Sequence, residues 1–591
     1  MRVTMGAALA AAALWLTAPA AAQSTADADA ERRLDAVIGA FEAVDRLNDP
    51  ITAGFEGDIE ALARLPDPSP AAVARQKAAY ATMRDQIAAI PPATLPPARA
   101  LDRDFLAWVI ESRLQSIAFD EHRIPFRNDS GFWSLGDYLA GATRVRTEAE
   151  AGAWLSRLEA LPAYLDAHVE NMRRGVRTRF MQPKPVVAAA LTTVRAVPAS
   201  ADESPLMAPL RALPPAMPLE QAEAFRARAR AALTDKVLPA QRALLAFMEQ
   251  EYLPRAPEKL AARDLPDGAA YYAWLTRLHT TTGFTPDEVH AIGLQEVARI
   301  RARMDAVMRA AGHQGSFADF QRTLRTDPRF YAQTPDELLM RAAEIAKRAD
   351  DKLPGLFRTL PRLSYGVRPV PAAIAPVYTT GRYFSGSPEQ GVAGGYMVNT
   401  TKLDQRPLYE LPALTLHEAA PGHHIQIALA QERTDLPWFR RNAEVTAFTE
   451  GWGLYAEYLG EEMGIYRDPY EQFGRLSYEM WRACRLVADT GIHWKRWSIA
   501  QARRCFDENS ALSPHNITTE LERYVSWPGQ ALGYKIGEIE LRRLRAKAET
   551  ALGPRFDVRT FHDALLRDGP LPVALLDRRM AAWIAQQPSA P

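Results

Sequence analysis

The chain has 591 residues, 47% hydrophobic and 24% charged, the profile of a soluble globular protein with room for several average domains or one large helical body. Lys plus Arg equals Asp plus Glu at 71 each, so the bulk charge argues against nucleic acid or an anionic membrane as an obligatory partner, since both need a basic surface. The only two cysteines, Cys484 and Cys505, are not a closely spaced metal set; they either pair in an oxidising compartment or stand as two buried thiols.

The N-terminus reads as a secretory signal over residues 1–22. Arg2 gives a positive start, an apolar run covers 5–16, and Ala20-Ala21-Ala22 offers a small-residue cleavage site before Gln23. The apolar run is too short and alanine-rich for a membrane anchor, no cysteine follows it to carry a lipid, and no later run is long enough to span a bilayer. The mature protein is therefore expected in the periplasm or secreted.

From residue 23 to about 180, stretches such as 71–90 and 148–174 place apolar residues at helical spacing. Prolines 183, 185, 198, 205, 209, 214, 215 and 218 break the zone 181–217, because proline blocks helix interiors. A long helix is expected over 219–251, followed by a second break over 254–266. These breaks divide a helical N-terminal part, 23–265, from a catalytic part, 266–591, within one continuous structural unit. Thr285-Pro286-Asp287-Glu288 carries good cap chemistry for a helix running through 293–300. The segment 370–399 is rich in β-formers, Gly and Pro, and its expected strands are 375–378 and 395–398. Helices return from about 411. The expected class is mainly α, with a small β-sheet beside the helix that carries the chemistry.

That helix holds His417-Glu418-Ala419-Ala420-Pro421-Gly422-His423-His424, three of the chain's 11 histidines within eight residues. In the familiar H-E-x-x-H pattern two histidines one turn apart bind zinc and the glutamate activates water. Here the next histidines lie six and seven residues on. In a straight helix His423 would point to roughly the opposite side, and His424 would sit about 10 Å further along the axis. Neither could share a metal with His417. Pro421 cannot donate to the His417 carbonyl and Gly422 tolerates unusual dihedrals, so the helix must break there, and the break can return a later imidazole to the first. Spacing alone leaves His423 and His424 undecided. The bland alternative is a helix end with capping histidines.

A zinc site needs a third protein ligand and an open position. The helical stretch 443–459 offers Glu444, Glu450 and Glu457, of which Glu450 and Glu457 lie two turns apart on one face. Glu450 is the expected ligand, as in gluzincin-type sites, with Glu457 as a partner to a histidine.

These segments resemble the bacterial family called domain of unknown function 885, whose hallmark is H-E-x-x-P-G-H followed by T-E-G-W-x-x-Y-x-E. Here those are residues 417–423 and 449–457. The resemblance extends over most of the mature chain, including 293–300, 489–493 and 527–537. It implies a mostly helical, zincin-like peptidase, distantly similar to carboxypeptidases and oligopeptidases with a deep channel. It selects His423 over His424, because the position after the first PGH histidine can be aromatic in that family.

The expected chemistry is hydrolysis of a peptide substrate with Zn²⁺ on His417, His423 and Glu450. Glu418 is the general base that takes a proton from the attacking water and passes it to the leaving amine. Tyr534 is the first candidate to stabilise the oxyanion, with His493 second and Tyr524 also considered. The alternative for Tyr534 is a core aromatic with a satisfied hydroxyl. Asp489 and His493 share a helix face and either orient a ligand or form a structural pair. Arg382, Arg482 or Lys535 could pair with a substrate's terminal carboxylate. The competing readings are a zinc hydrolase of a non-peptide amide or ester, and a periplasmic binding protein with a vestigial metal site. The sequence specifies no oligomeric state.

Overall fold

Apolar residues at helical spacing and capped helix starts fold most of this chain into α-helices. The computed structural model describes residues 18–587 apart from 373–374, 376–377 and 389–390. Of the expected leader over 1–22, residues 1–17 lie outside the described residues. The N-terminal part contains α1 (Ala18–Asn48), α2 (Pro70–Ala88), α3 (Pro97–Phe119) and α4 (Glu148–Thr178). Ser69 caps α2, Thr147 and Glu150 form a capping box on α4, and proline opens both α2 and α3 where no intrahelical donor is lost.

The helix expected over 219–251 is continuous but not uniform. It is α-helical over Leu219–Ala232 and Leu238–Phe247, with wider π turns at Leu233–Val237 and Met248–Tyr252. Each π turn lies just ahead of a proline, Pro239 or Pro254, whose missing N–H and bulky ring a regular turn could not accommodate.

The C-terminal part opens with α5 (Gly268–Thr280) and α6 (Pro286–Ala310), the latter started by the expected Thr285–Glu288 capping box. A three-stranded sheet follows, made of β1 (Tyr365–Pro369), β2 (Gly381–Phe384) and β3 (Gly394–Val398) in the order β1-β3-β2. β1 runs parallel and β2 antiparallel to the central β3. β3 is the strand expected at 395–398. Of the strand expected at 375–378, residues 376–377 lie outside the described residues, while Ala375 and Tyr378 donate to the carbonyls of Pro371 and Ala375, which are turn bonds. The strand that pairs with this side of β3 is β2.

The remaining helices include α7 (Leu411–Glu418), α8 (His423–Gln431), α9 (Thr446–Glu462), α10 (Pro469–His493), α11 (Ile499–Asn509), α12 (Pro514–Ser526) and α13 (Leu532–Leu552). The sheet lies beside α7: the Tyr383 N–H of β2 donates to Glu418, and Tyr396 of β3 is 3.2 Å from the Thr415 hydroxyl. One hydrophobic cluster runs from Ala30 to Trp583, so both parts of the chain contribute to a shared core.

Every residue of α10 from 473 to 493 is buried, including five that are charged. Buried charges must be paired. Lys535 of α13 meets Glu479 of α10 at 2.9 Å, Glu296 of α6 at 3.0 Å and Glu538 at 2.7 Å, which ties three helices together. A disulfide joins Cys484 of α10 to Cys505 of α11. No described helix is long and apolar enough to cross a membrane.

Candidate metal centre

α7 ends where its sequence breaks it. His417 and Glu418 are its last two residues, and Ala419 leaves helical geometry with φ −96° and ψ −119°. The Ala420–Pro421 peptide is cis, and Gly422, with ψ −130°, precedes α8. A Cβ on Gly422 would stand 2.0 Å from the His417 carbonyl oxygen, so only glycine fits the bend. The Trp452 indole N–H donates to the Pro421 carbonyl at 2.9 Å and fastens the bend to α9. As a result His423, first residue of α8, returns to His417: their ring centroids are 4.7 Å apart at 87°.

α9 supplies the third group. It crosses α7 at Gly453, where a Cβ would lie 2.5 Å from His417 Cε1. One turn earlier, Glu450 Oε2 is 3.4 Å from His417 Nε2 and 3.4 Å from His423 Nε2. Two turns after Glu450, Glu457 Oε1 lies 2.8 Å from His417 Nδ1. That bond makes Nδ1 the donor to Glu457 and turns Nε2 toward Glu450, the edge a metal would take in place of a proton. His423 Nδ1 is buried without a hydrogen-bond partner among the described residues.

His417, His423 and Glu450 offer three ligand atoms, all within 4.8 Å of one another. Zinc bonds of about 2.0–2.1 Å to N and O in a tetrahedron place neighbouring ligands about 3.3–3.4 Å apart. The two His–Glu separations of 3.4 Å therefore fit such an ion. Burial alone would lower the His417 pKa, but the Glu450 and Glu457 carboxylates outweigh it and raise it to about 9. Burial would raise Glu450, but the two imidazoles win and hold it well below the usual carboxylate range. This concentrated negative field favours any cation between the three side chains.

A family model described as "Bacterial protein of unknown function (DUF885)" matches residues 50–580. The chain belongs to the DUF885 family. It is similar to the crystal structure of a candidate lipoprotein from Colwellia psychrerythraea, with a TM-score of 0.87, 28% identity, and coverage of 94% of this chain and 100% of that one. It also shares its fold with a candidate lipoprotein of unknown function from Shewanella oneidensis, at a TM-score of 0.70 and 16% identity, covering 95% of this chain and 99% of that one. No curated protein matches it.

In this DUF885 chain the two residues that spacing left open, His423 and His424, part company. His424 Nδ1 is 3.1 Å from the Tyr383 hydroxyl, and its ring packs 4.6 Å from that of Tyr365, away from the cluster. Glu418 is fixed by the Tyr383 N–H at 2.7 Å. Tyr534 stands beside the cluster, its ring nearly parallel to that of His417 at 6.5 Å, and its hydroxyl accepts an Arg523 N–H at 3.3 Å.

His493 does not join it, which corrects the expected catalytic role. Nδ1 accepts the Ala262 N–H at 3.1 Å and Nε2 donates to the Tyr524 carbonyl at 2.9 Å. Burial lowers its pKa to about 4, so it is a neutral, fully engaged ring. Asp489 does not pair with it but accepts from the Tyr272 hydroxyl at 2.5 Å and the Gly529 N–H at 3.1 Å. The Tyr524 hydroxyl accepts from Trp481 and Arg485. Of the three candidate carboxylate partners, Lys535 is sealed in its ion network and Arg482 is buried against Glu457 at 3.2 Å, while Arg382 is exposed. Gly453 was missed by sequence reasoning. The signal was present, since a glycine inside a helix costs about 1 kcal/mol and marks a close approach.

Proposed function

We propose that this DUF885 protein is an exported, zincin-like peptidase that hydrolyses peptide bonds with Zn²⁺ on His417, His423 and Glu450. The observation that carries the reading is the pair of 3.4 Å His–Glu separations, with Glu418 adjacent in sequence to the first ligand. When bound, zinc supplies a Lewis acid for the scissile carbonyl and for water. Glu457 holds His417 in the tautomer that leaves Nε2 free. Glu418 takes the proton of the attacking water and delivers it to the leaving amine. Tyr534 accepts from Arg523 and so keeps its own proton for the developing oxyanion. Export is supported by the leader-like 1–22 segment, by the lipoprotein description of the Colwellia relative and by a disulfide suited to an oxidising compartment. Both cysteines are bonded to each other, so neither carries a lipid.

Glu418→Gln tests the reading. The variant is expected to retain one zinc per chain and to lose hydrolysis of a peptide library by at least about a hundredfold. Parental turnover in this variant would sink the mechanism. Cleavage of esters or non-peptide amides alone would move the activity to another substrate class.

A further inference from the structure

A cavity of about 680 Å³ lies between the N-terminal part and the start of α9. Arg127, Glu444, Thr446 and Trp527 are among its walls. Thr446 opens α9 one turn before Glu450; of the arginines that follow, Arg127 is the one in the cavity wall itself. The cavity's volume suits a short peptide, within the several hundred cubic ångströms usual for small-ligand sites.

A line of guanidinium groups leads from this wall to the ligands. Arg127 stacks on Trp527, 3.1 Å from the ring centroid, and Arg523 approaches the same indole at 5.8 Å. Arg523 donates to the Tyr534 hydroxyl at 3.3 Å, and Arg485 lies 4.0 Å from the Tyr534 ring centroid. Tyr534 in turn lies parallel to His417. Arg382 is the exposed residue of β2 next to Tyr383, whose N–H holds Glu418. Arg382 hydrogen-bonds the Tyr378 hydroxyl, and burial, which would lower its pKa, is outweighed by that oxygen and by the nearby Glu418 carboxylate, which hold it charged. Burial lowers Arg127 to about 10; Asp129 and Glu444 oppose that shift, while Arg523 and Arg382 add to it.

Against these four cations stands one carboxylate at ion-pair distance, Glu520, shared by Arg485 at 2.8 Å and Arg523 at 3.3 Å. Among the described residues neither Arg127 nor Arg382 forms a salt bridge. Neighbouring oxygens favour the charged form of Arg382, Arg485 and Arg523, so the guanidinium groups stand as cations that an incoming anion can meet. Guanidinium forks match a planar carboxylate in bidentate geometry.

We infer that Arg127, Arg382 and Arg523 receive the free C-terminal carboxylate of a short peptide, which makes this protein a carboxypeptidase. The inference rests on the peptide-hydrolysis reading above. The bond broken is the C–N bond preceding the terminal residue. Water adds its oxygen to the acyl carbon, and its proton passes through Glu418 to the released amine. Arg523 also steadies Tyr534, so Arg127 and Arg382 are the residues whose loss reports on carboxylate recognition alone.

The test compares tri- to pentapeptides as free acids, as C-terminal amides, and as amides ending in aspartate. The expected kcat/KM for the acid exceeds that for the plain amide by about a hundredfold or more. Arg382→Gln and Arg127→Gln each lower that ratio by about tenfold, mainly through KM, and Arg→Lys restores part of it. Zinc content and far-UV circular dichroism establish that each variant is folded. Equal cleavage of acids and amides overturns the inference and leaves the peptidase reading intact. Cleavage of the aspartyl amide as fast as the acid also overturns it, since the receptor then reads an acidic side chain. If the parent cuts no peptide, the peptidase reading fails, and titration calorimetry of Glu418→Gln with acid and amide decides the receptor. Tighter binding of the acid upholds it, and equal binding overturns it.

Discussion

Glu457 Oε1 lies 2.8 Å from His417 Nδ1 and 3.2 Å from Arg482 Nη2. A single buried carboxylate oxygen thus orients the imidazole of a proposed metal ligand and is itself anchored by a cation on another helix. Carboxylates in this position typically contribute ten- to a hundredfold in metal affinity. Glu457→Gln is expected to weaken zinc binding by about that factor in chelator competition, with secondary structure retained. Unaltered affinity would remove Glu457 from the site.

Gly453 brings α9 against the face of His417. A methyl group there would meet three atoms of the imidazole ring at 2.5–2.8 Å. Gly453→Ala raises helix propensity by about 1 kcal/mol. It is nevertheless expected to displace His417 and lose zinc, read as metal per chain by elemental analysis. A variant that keeps full zinc would mean that the two helices slide apart without cost to the site.

The Cys484–Cys505 bond closes a loop of 21 residues between α10 and α11. Constraint of an unfolded loop of that size is worth about 3 kcal/mol. Cys505→Ser, or reduction of the parent, is expected to lower the thermal midpoint, and thiol titration of the native protein should find no free cysteine. Because the bond anchors the helix that carries Arg482, zinc affinity should fall with it.

Glu410, at the start of α7, is buried, and one carboxyl oxygen has no partner among the described residues. Burial raises its pKa from 4.5 to about 8, against the pull of Arg325, Arg406 and Arg482. Between those values the unfolded chain releases a proton that the folded chain keeps. Stability must therefore fall as pH rises through that window, by up to about 1.4 kcal/mol per pH unit. Glu410→Gln removes the slope. Its stability relative to the parent should rise from pH 4.5 to pH 8 in denaturant titrations, and a parallel pair of curves would contradict the assignment.

Local chemistry made the core of the site legible. Pro421 and Gly422 can be read as a helix break, and the seven-residue interval from Glu450 to Glu457 as one helix face, because both depend on neighbours in sequence. His493 shows the limit. Its four-residue spacing from Asp489 marks a shared face, but α10 is buried on all sides, so a shared face carries no information about solvent or substrate. Arg127, Arg382 and Arg523 come from three distant segments that only the tertiary fold assembles, and no local pattern links them. Within the motifs at 293–300 and 527–537, Gly293, Glu296 and Lys535 serve packing and ion pairing, while Trp527 and Tyr534 face the cavity wall and the cluster. Glu296 and Lys535 share the buried ion network, while a Cβ on Gly293 would stand 2.8 Å from Leu486 of α10.

The most direct measurement is anomalous diffraction at the zinc edge from crystals of the protein purified without chelator. One peak is expected, about 2.0–2.2 Å from His417 Nε2, His423 Nε2 and a Glu450 carboxylate oxygen. A zinc-supplemented crystal with no peak there, or with its peak on other residues, would contradict the metal centre on which the proposed hydrolysis depends.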